Sequence, residues 1–256
     1  MSEIRTNPFT GEMSLYAENR RNRPYEFVHN TERKHANSEK CPFCGGHEAW
    51  TPDAIYQDGP NGAWQMRVFP NKFPTVREDC TDAAEESFYT QTAGRGRHEI
   101  LVDTPDHDAT IDTFDAAHIA SILQVLQDRL HFFRNRADTQ YVQIFKNCGP
   151  SAGMSMHHSQ VVGLPVVPKR AATMAEAMHR EDCLFCKMLA YEKETNRRIV
   201  AETEHFLALT PYAGRFAYEL WLAPKAHQRD FGEMSAEERQ ACGTSAEDAR
   251  KGDGDS

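Results

Sequence analysis

Two Cys-x-x-Cys pairs, Cys41-Pro42-Phe43-Cys44 and Cys183-Leu184-Phe185-Cys186, constrain this chain more than any other feature. Thiolates at that spacing can share one tetrahedral metal ion, and zinc favours Cys combined with His. After the first pair come Arg67-Val68, Glu99, Pro105 and His107; after the second come Arg198-Ile199-Val200, Glu219, Pro224 and His227. In both runs the Glu precedes the His by eight positions (107 − 99 and 227 − 219). The common order points to an internal duplication. A redox role is the rival reading of Cys-x-x-Cys, but such a pair normally opens a helix in a βαβ unit. Gly45-Gly46 after the first pair reads instead as a knuckle turn. The other ligands of the first pair would be His107 and one of His157 or His158; His227 is the third ligand for the second.

A chain of 256 residues can form one large domain or two modest ones with a sizeable core. With 29 Lys+Arg against 38 Asp+Glu, its charge of −9 argues against a general nucleic-acid binder, a zinc finger included. No apolar run approaches the roughly 20 residues of a membrane span. The polar start, MSEIRTNPFTGEM, has no secretory h-region, so a cytoplasmic location is expected. Seven cysteines, four of them in the two pairs, fit metal binding in a reducing compartment better than a disulfide framework.

Residues 1–40 are polar, with arginines concentrated at Arg20, Arg21 and Arg23. That run is either a solvated loop or a phosphate clamp, since a guanidinium fork matches phosphate oxygens. Trp64–Phe69, His98–Asp103 and Tyr141–Lys146 read as strands. Val161–Val167 reads as a buried strand in which Gly163 and Pro165 imply an edge or a bulge. Ile119, Ile122, Leu123, Leu126, Leu130 and Phe133 predict an amphipathic helix over 114–135. A second unit starts near residue 180. Its capping box at Ser235 should open a helix. The run ACGTSAEDARKGDGDS is small, polar and aperiodic, so residues 241–256 are expected to be a disordered tail. The unit's open sheet would then expose an edge and part of a core.

The glycine-rich loop from Asn147 to Gly153 is suited to cradling phosphate, because glycines let backbone N–H groups approach an anion. Ser155 adds a hydroxyl, and His157, His158 and Gln160 follow at once. A neutral imidazole is a competent nucleophile near pH 7, and a glutamine N–H can bond a phosphoryl oxygen.

The ordered set Arg5-x-Asn7-Pro8-x-Thr10-Gly11-Glu12, Arg20-x-x-Arg23-Pro24, Cys41-Pro42-Phe43-Cys44, Asn71-Lys72-Phe73-Pro74, Thr104-Pro105-Asp106-His107, Asn147-x-Gly149, Gly153-x-Ser155 with the histidines, and Pro224-Lys225-Ala226-His227 resembles the galactose-1-phosphate uridylyltransferase family of the histidine-triad superfamily, whose relatives include nucleoside-diphosphate-sugar phosphorylases. The resemblance spans residues 5 to 227. It implies an α+β fold: a duplicated antiparallel sheet with helices, residues 1–170 forming the first half and 171–240 a second copy truncated at its C-terminus. It implies ping-pong transfer from UDP-glucose to a hexose 1-phosphate through a uridylyl-histidine. Arg20 and Arg23 would contact phosphates, Asn71, Phe73 and Asn147 the nucleotide, and Ser155 and Gln160 the phosphoryl groups. Zinc, with iron as the alternative, would be held by Cys41, Cys44, His107 and the first histidine of the motif, and the protein would be a homodimer. The alternatives are a phosphorylase or hydrolase of the same superfamily, or a zinc-stabilised nucleotide-binding remnant without turnover.

The family motif G-x-S-x-x-H-x-H-x-Q is here two residues shorter between Ser155 and Gln160. Counting back from Gln160 makes His158 the nucleophile and His157 the metal ligand. Counting forward from Ser155 makes His158 the metal ligand. The first reading is preferred, because phosphate binding couples the nucleophile to the glutamine.

Overall fold

The structure is a computed structural model, and it describes residues 2–18, 20, 39, 41–81, 88–147, 158–178 and 182–251. The chain divides into two compact units, one of residues 1–109 and 129–169, the other of 110–128 and 170–256. The fold is α+β with antiparallel sheets. One division falls between residues 169 and 170, and the others pass at 109/110 and through the helix predicted over 114–135, at 128/129.

The first unit holds two sheets. β1 (Ser2–Thr6) lies between β2 (Met13–Ala17) and β5 (Thr90–Ala93). Nothing in the polar N-terminal sequence announces this sheet. The β1–β2 turn is the Asn7–Glu12 motif: Asn7 Oδ1 accepts from Phe9 N at 2.9 Å and Thr10 N at 3.2 Å, and Gly11 takes the left-handed φ of +68°.

The larger sheet runs β3 (Tyr56–Gln57), β4 (Arg67–Pro70), β6 (Arg97–Val102), β8 (His158–Leu164), β7 (Tyr141–Asn147). Opposed residues of an antiparallel ladder share a face. Asn71 follows β4 on the face of Phe69, which is opposite Ile100; Ile100 is opposite Gln160, and Gln160 opposite Phe145. His98 and Asn147 fall on this face by the period of two. Buried Trp64, Phe69, Ile100 and Val102 form its core, with Phe43 packed on them.

Glu99, Leu101 and Val161 point the other way, toward α1 (Ala116–Arg134), the predicted helix. Fully buried Glu99 accepts a bidentate Arg129 pair at 2.7 and 2.8 Å and Arg97 Nε at 2.8 Å. The edge or bulge expected from Gly163 is absent: β8 is paired along both sides. The glycine serves packing instead. A Cβ there would overlap Phe133 Cδ1 and lie 2.9 Å from Cε1.

In the second unit, β10 (Phe206–Leu209) lies between β9 (Ile199–Glu202) and β11 (Trp221–Pro224). Leu207, Leu209 and Ala223 pack against Leu189 of α3 (Leu184–Thr195), which follows α2 (Lys169–Met178). The expected capping box forms: Ser235 N donates to Glu238 Oε2 at 2.7 Å and Glu238 N to Ser235 Oγ at 3.2 Å. The helix it opens, α4 (Ala236–Lys251), corrects the expected disordered tail over residues 241–251; residues 252–256 lie outside the described set. Small residues there are contact residues. A Cβ on Gly243 would overlap Ala116 O, and buried Ser245 Oγ bonds Ala241 O at 2.8 Å and lies 3.1 Å from Thr203 Oγ1.

Candidate active site and metal centres

The loop after Cys41 is a chain of turns. Cys44 N donates to Cys41 O at 3.4 Å, His47 N to Cys44 O at 3.2 Å, and Gly46 has φ +88°. His47 Nδ1 lies 2.7 Å from Cys41 O while its ring stacks on Trp50, centroids 4.1 Å apart. Glu48 closes the loop: Oε1 accepts from Gly46 N (3.0 Å), Gly62 N (2.9 Å) and Trp64 Nε1 (2.6 Å). Burial raises the pKa of this carboxyl, but the indole and backbone donors outweigh it and hold it at about 2.

His107 arrives on the turn after β6, and Cys44 Sγ lies 3.3 Å from His107 Nδ1. The donor atoms of Cys41, Cys44 and His107 lie within 4.8 Å of one another. Burial, then Cys41, Asp106 and Asp108, push the Cys44 thiol up to about 12. A divalent cation reverses that balance, since a coordinating thiol is deprotonated. The Cys2His set and spacing fit a soft, tetrahedral metal ion. The expected fourth ligand, His157, lies outside the described residues.

The second group is Cys183, Cys186 and His227, also within 4.8 Å, with Cys186 Sγ 3.2 Å from His227 Nδ1. This pair does open a helix, and Cys183 Sγ accepts from Cys186 N at 3.4 Å as the cap of α3. That backbone bond lowers the Cys183 thiol, while burial raises Cys186. The duplication therefore extends to the same pair of contacting atoms. It does not extend to the glutamates. Glu99 is the buried partner of Arg129, whereas Glu219 holds Arg215 N (2.6 Å) and Trp221 Nε1 (2.8 Å) beside its own strand.

The β4–β6–β8–β7 face gathers Asn71, Asn147, position 158 and Gln160. Asn71 N donates to His98 O at 2.8 Å, and Asn71 Oδ1 accepts from Phe73 N at 2.8 Å, which folds the loop carrying half-buried Phe73. Asn147 ends β7 and pairs in register with His158, the first residue of β8. Positions 158 and 160 share a strand face. Gln160 is buried, and its Oε1 lies 3.0 Å from His98 Nε2. Arg20 is half-buried. Arg23 and Ser155 lie outside the described residues. Of the His158 position, the backbone register is what the structure describes.

Sequence reading missed three contributors. His98 is buried in β6 between Arg97 and Glu99, and a histidine at the start of a strand that continues Ile100-Leu101-Val102 is the signal that could have exposed it. Thr75 Oγ1 and N both lie 3.1 Å from His98 Nδ1. Glu48 carries no motif; only folding brings it to Gly62 and Trp64. Among the described residues no helix is long and apolar enough to cross a membrane.

A family profile, galactose-1-phosphate uridyl transferase, N-terminal domain, matches residues 1–168. An ADP-glucose phosphorylase of Arabidopsis thaliana is 27% identical over 243 residues, 90% of this chain and 67% of that protein. A galactose-1-phosphate uridylyltransferase of Thermotoga maritima is 29% identical over 250 residues, 94% of this chain and 72% of that protein. A solved uridylyltransferase structure superposes with a TM-score of 0.75 at 26% identity, covering 96% of this chain and 73% of the other. The Arabidopsis phosphorylase with bound ADP-glucose gives 0.68 at 25% identity, covering 95% of this chain and 75% of the other. With the match over residues 1–168 covering most of the length, the chain belongs to the galactose-1-phosphate uridyl transferase family.

Proposed function

We propose that the protein is a cytoplasmic nucleotidyltransferase that passes a uridylyl group from UDP-glucose to a hexose 1-phosphate through His158. The observation that carries this reading is the register of β8, which sets position 158 on the face of Gln160, Asn71 and Asn147. A nucleophile and a phosphoryl-binding amide must share a face, and only the count back from Gln160 gives that. The neutral imidazole attacks the α-phosphorus, and the bond to the bridging oxygen breaks. Sugar 1-phosphate leaves with that electron pair. The acceptor's phosphate oxygen then attacks the same phosphorus, and the imidazole departs. Gln160 N–H and Ser155 bond the phosphoryl oxygens, Arg20 and Arg23 balance phosphate charge, and Asn71, Phe73 and Asn147 seat the nucleotide.

Cys41, Cys44, His107 and His157 hold zinc, which fixes the 41–48 loop to the end of β6; Cys183, Cys186 and His227 hold a second ion. A second reading, phosphorolysis of ADP-glucose, is favoured by the similarity to the Arabidopsis phosphorylase. It shares the covalent step and differs in the acceptor, inorganic phosphate.

Intact-protein mass after incubation with UDP-glucose or ADP-glucose tests the reading. A nucleotidyl adduct absent from His158→Ala is expected. Discharge of the adduct by galactose 1-phosphate identifies the transferase, and discharge by phosphate the phosphorylase. No adduct with either sugar nucleotide on folded, metal-loaded protein sinks both.

A further inference from the structure

We propose that His98 is a positioning residue that sets the amide of Gln160 with its N–H2 group toward the transferring phosphoryl; this rests on the reading of His158 and Gln160 above. The argument starts at Thr75, whose backbone N–H lies 3.1 Å from His98 Nδ1. A backbone N–H can only donate, so Nδ1 presents its lone pair and the neutral ring carries its proton on Nε2. Nε2–H then donates to Gln160 Oε1 at 3.0 Å. Asn71 Nδ2 also lies 3.1 Å from Nε2, and Asn71 Oδ1 is taken by Phe73 N–H. The two amides make opposite demands on Nε2, Asn71 Nδ2 needing a lone pair and Gln160 Oε1 a proton, and the backbone donor on the far side decides: the ring gives its proton to Gln160, and the half-buried Asn71 Nδ2 makes no hydrogen bond to the ring.

Holding the Gln160 oxygen at His98 fixes which end of the amide faces the other way. A flipped amide would set its N–H2 against Nε2–H and present an oxygen to an anionic phosphoryl group. Burial of both residues makes an unmatched donor costly, so the flip is suppressed before substrate arrives. His98 also receives Asn71 N–H on its backbone oxygen, which ties the loop of Phe73 to the same strand position.

The test compares His98→Asn, which keeps an acceptor for Thr75 and loses the distal donor, with His98→Gln, which restores a distal N–H. The rate of adduct formation at His158 should fall about 10- to 100-fold in His98→Asn, as for other lost phosphoryl-positioning contacts. Nucleotide-sugar affinity should change much less, and His98→Gln should recover most of the rate. In a Gln160→Leu background the His98→Asn change should add little. Long-range 1H–15N correlation on the unliganded wild type should show the Nε2–H tautomer of His98, a readout independent of activity. An Nδ1–H tautomer, or rate losses that multiply independently in the double variant, overturns the inference while leaving the transfer reading intact. Wild-type protein that forms no adduct overturns the transfer reading, and the inference with it. If His98→Asn does not fold, His98→Gln and the tautomer measurement still decide.

Discussion

Cys44 Sγ and His107 Nδ1 meet at 3.3 Å across 63 residues of chain, and Cys186 and His227 repeat that pairing of atoms at 3.2 Å across 41. The repeat in the sequence is thus a repeat of a Cys2His group that could hold a metal ion. In the first copy burial, then Cys41, push the Cys44 thiol up to about 12, so it ionises near neutral pH only beside a cation such as a bound metal ion, which the Cys2His set could hold.

Purified protein is therefore expected to carry two metal ions per chain. Cys44→Ser or His107→Ala should leave one, read by elemental analysis. Loss of the first ion frees the 41–48 loop, so the midpoint of urea unfolding should fall by the equivalent of about 2 kcal/mol or more. Full stability with no metal bound would refute the assignment.

The second group should be separable from chemistry at His158. Its ligands come from α3 and the turn after β11, which carry none of the residues of the β4–β6–β8–β7 face. Cys186→Ser should remove one ion while adduct formation stays within about 3-fold, within the range of minor effects for a site not touching substrate. A loss comparable to that of His158→Ala would contradict this.

Glu48 gives the pH dependence. Its carboxyl is held at about 2 against an ordinary 4.5, so between those values the unfolded chain binds more protons than the folded one. Its contribution is complete above about pH 4.5 and is lost as pH falls toward 2. Glu48→Gln keeps an acceptor for Trp64 without the charge. Unfolding midpoints of wild type and Glu48→Gln should therefore differ most above pH 4.5 and converge on acidification. A constant difference down to pH 2 would show that the clasp does not depend on charge.

Legibility followed how local the physics was. The Cys-x-x-Cys pairs, the α1 periodicity and the order of the motifs were readable because each is encoded within a few residues. The sheet of β1, β2 and β5 was not, since its strands are short, β5 is the polar run Thr90–Ala93, and β2 leaves Met13, Leu15 and Tyr16 exposed. The α4 helix was missed beyond residue 240 because Gly243 and Ser245 are chosen by the neighbours they touch, not by helix propensity. The face that joins position 158 to Gln160 follows from the two-residue period, but its extension to Asn71 and His98 needed the register of three strands. His98 lacked a motif because its partners, Thr75 and Gln160, come from opposite sides of it in the chain.

Gly163 and Phe133 supply the last expectation. The missing Cβ on β8 is what lets the fully buried Phe133 ring of α1 reach the sheet, behind the face that bears Gln160. Gly163→Ala should cost about 1–3 kcal/mol through overpacking. Phe133→Leu alone should cost about 1–3 kcal/mol through the cavity it leaves. Combined, the two changes should cost less than their sum, because the smaller side chain makes room for the methyl. Urea unfolding of the four proteins in this cycle measures the coupling. Additivity within about 0.5 kcal/mol would mean the ring is not what excludes a side chain at 163, leaving Thr139 Oγ1, 2.9 Å from the same Cβ position, as the excluding group.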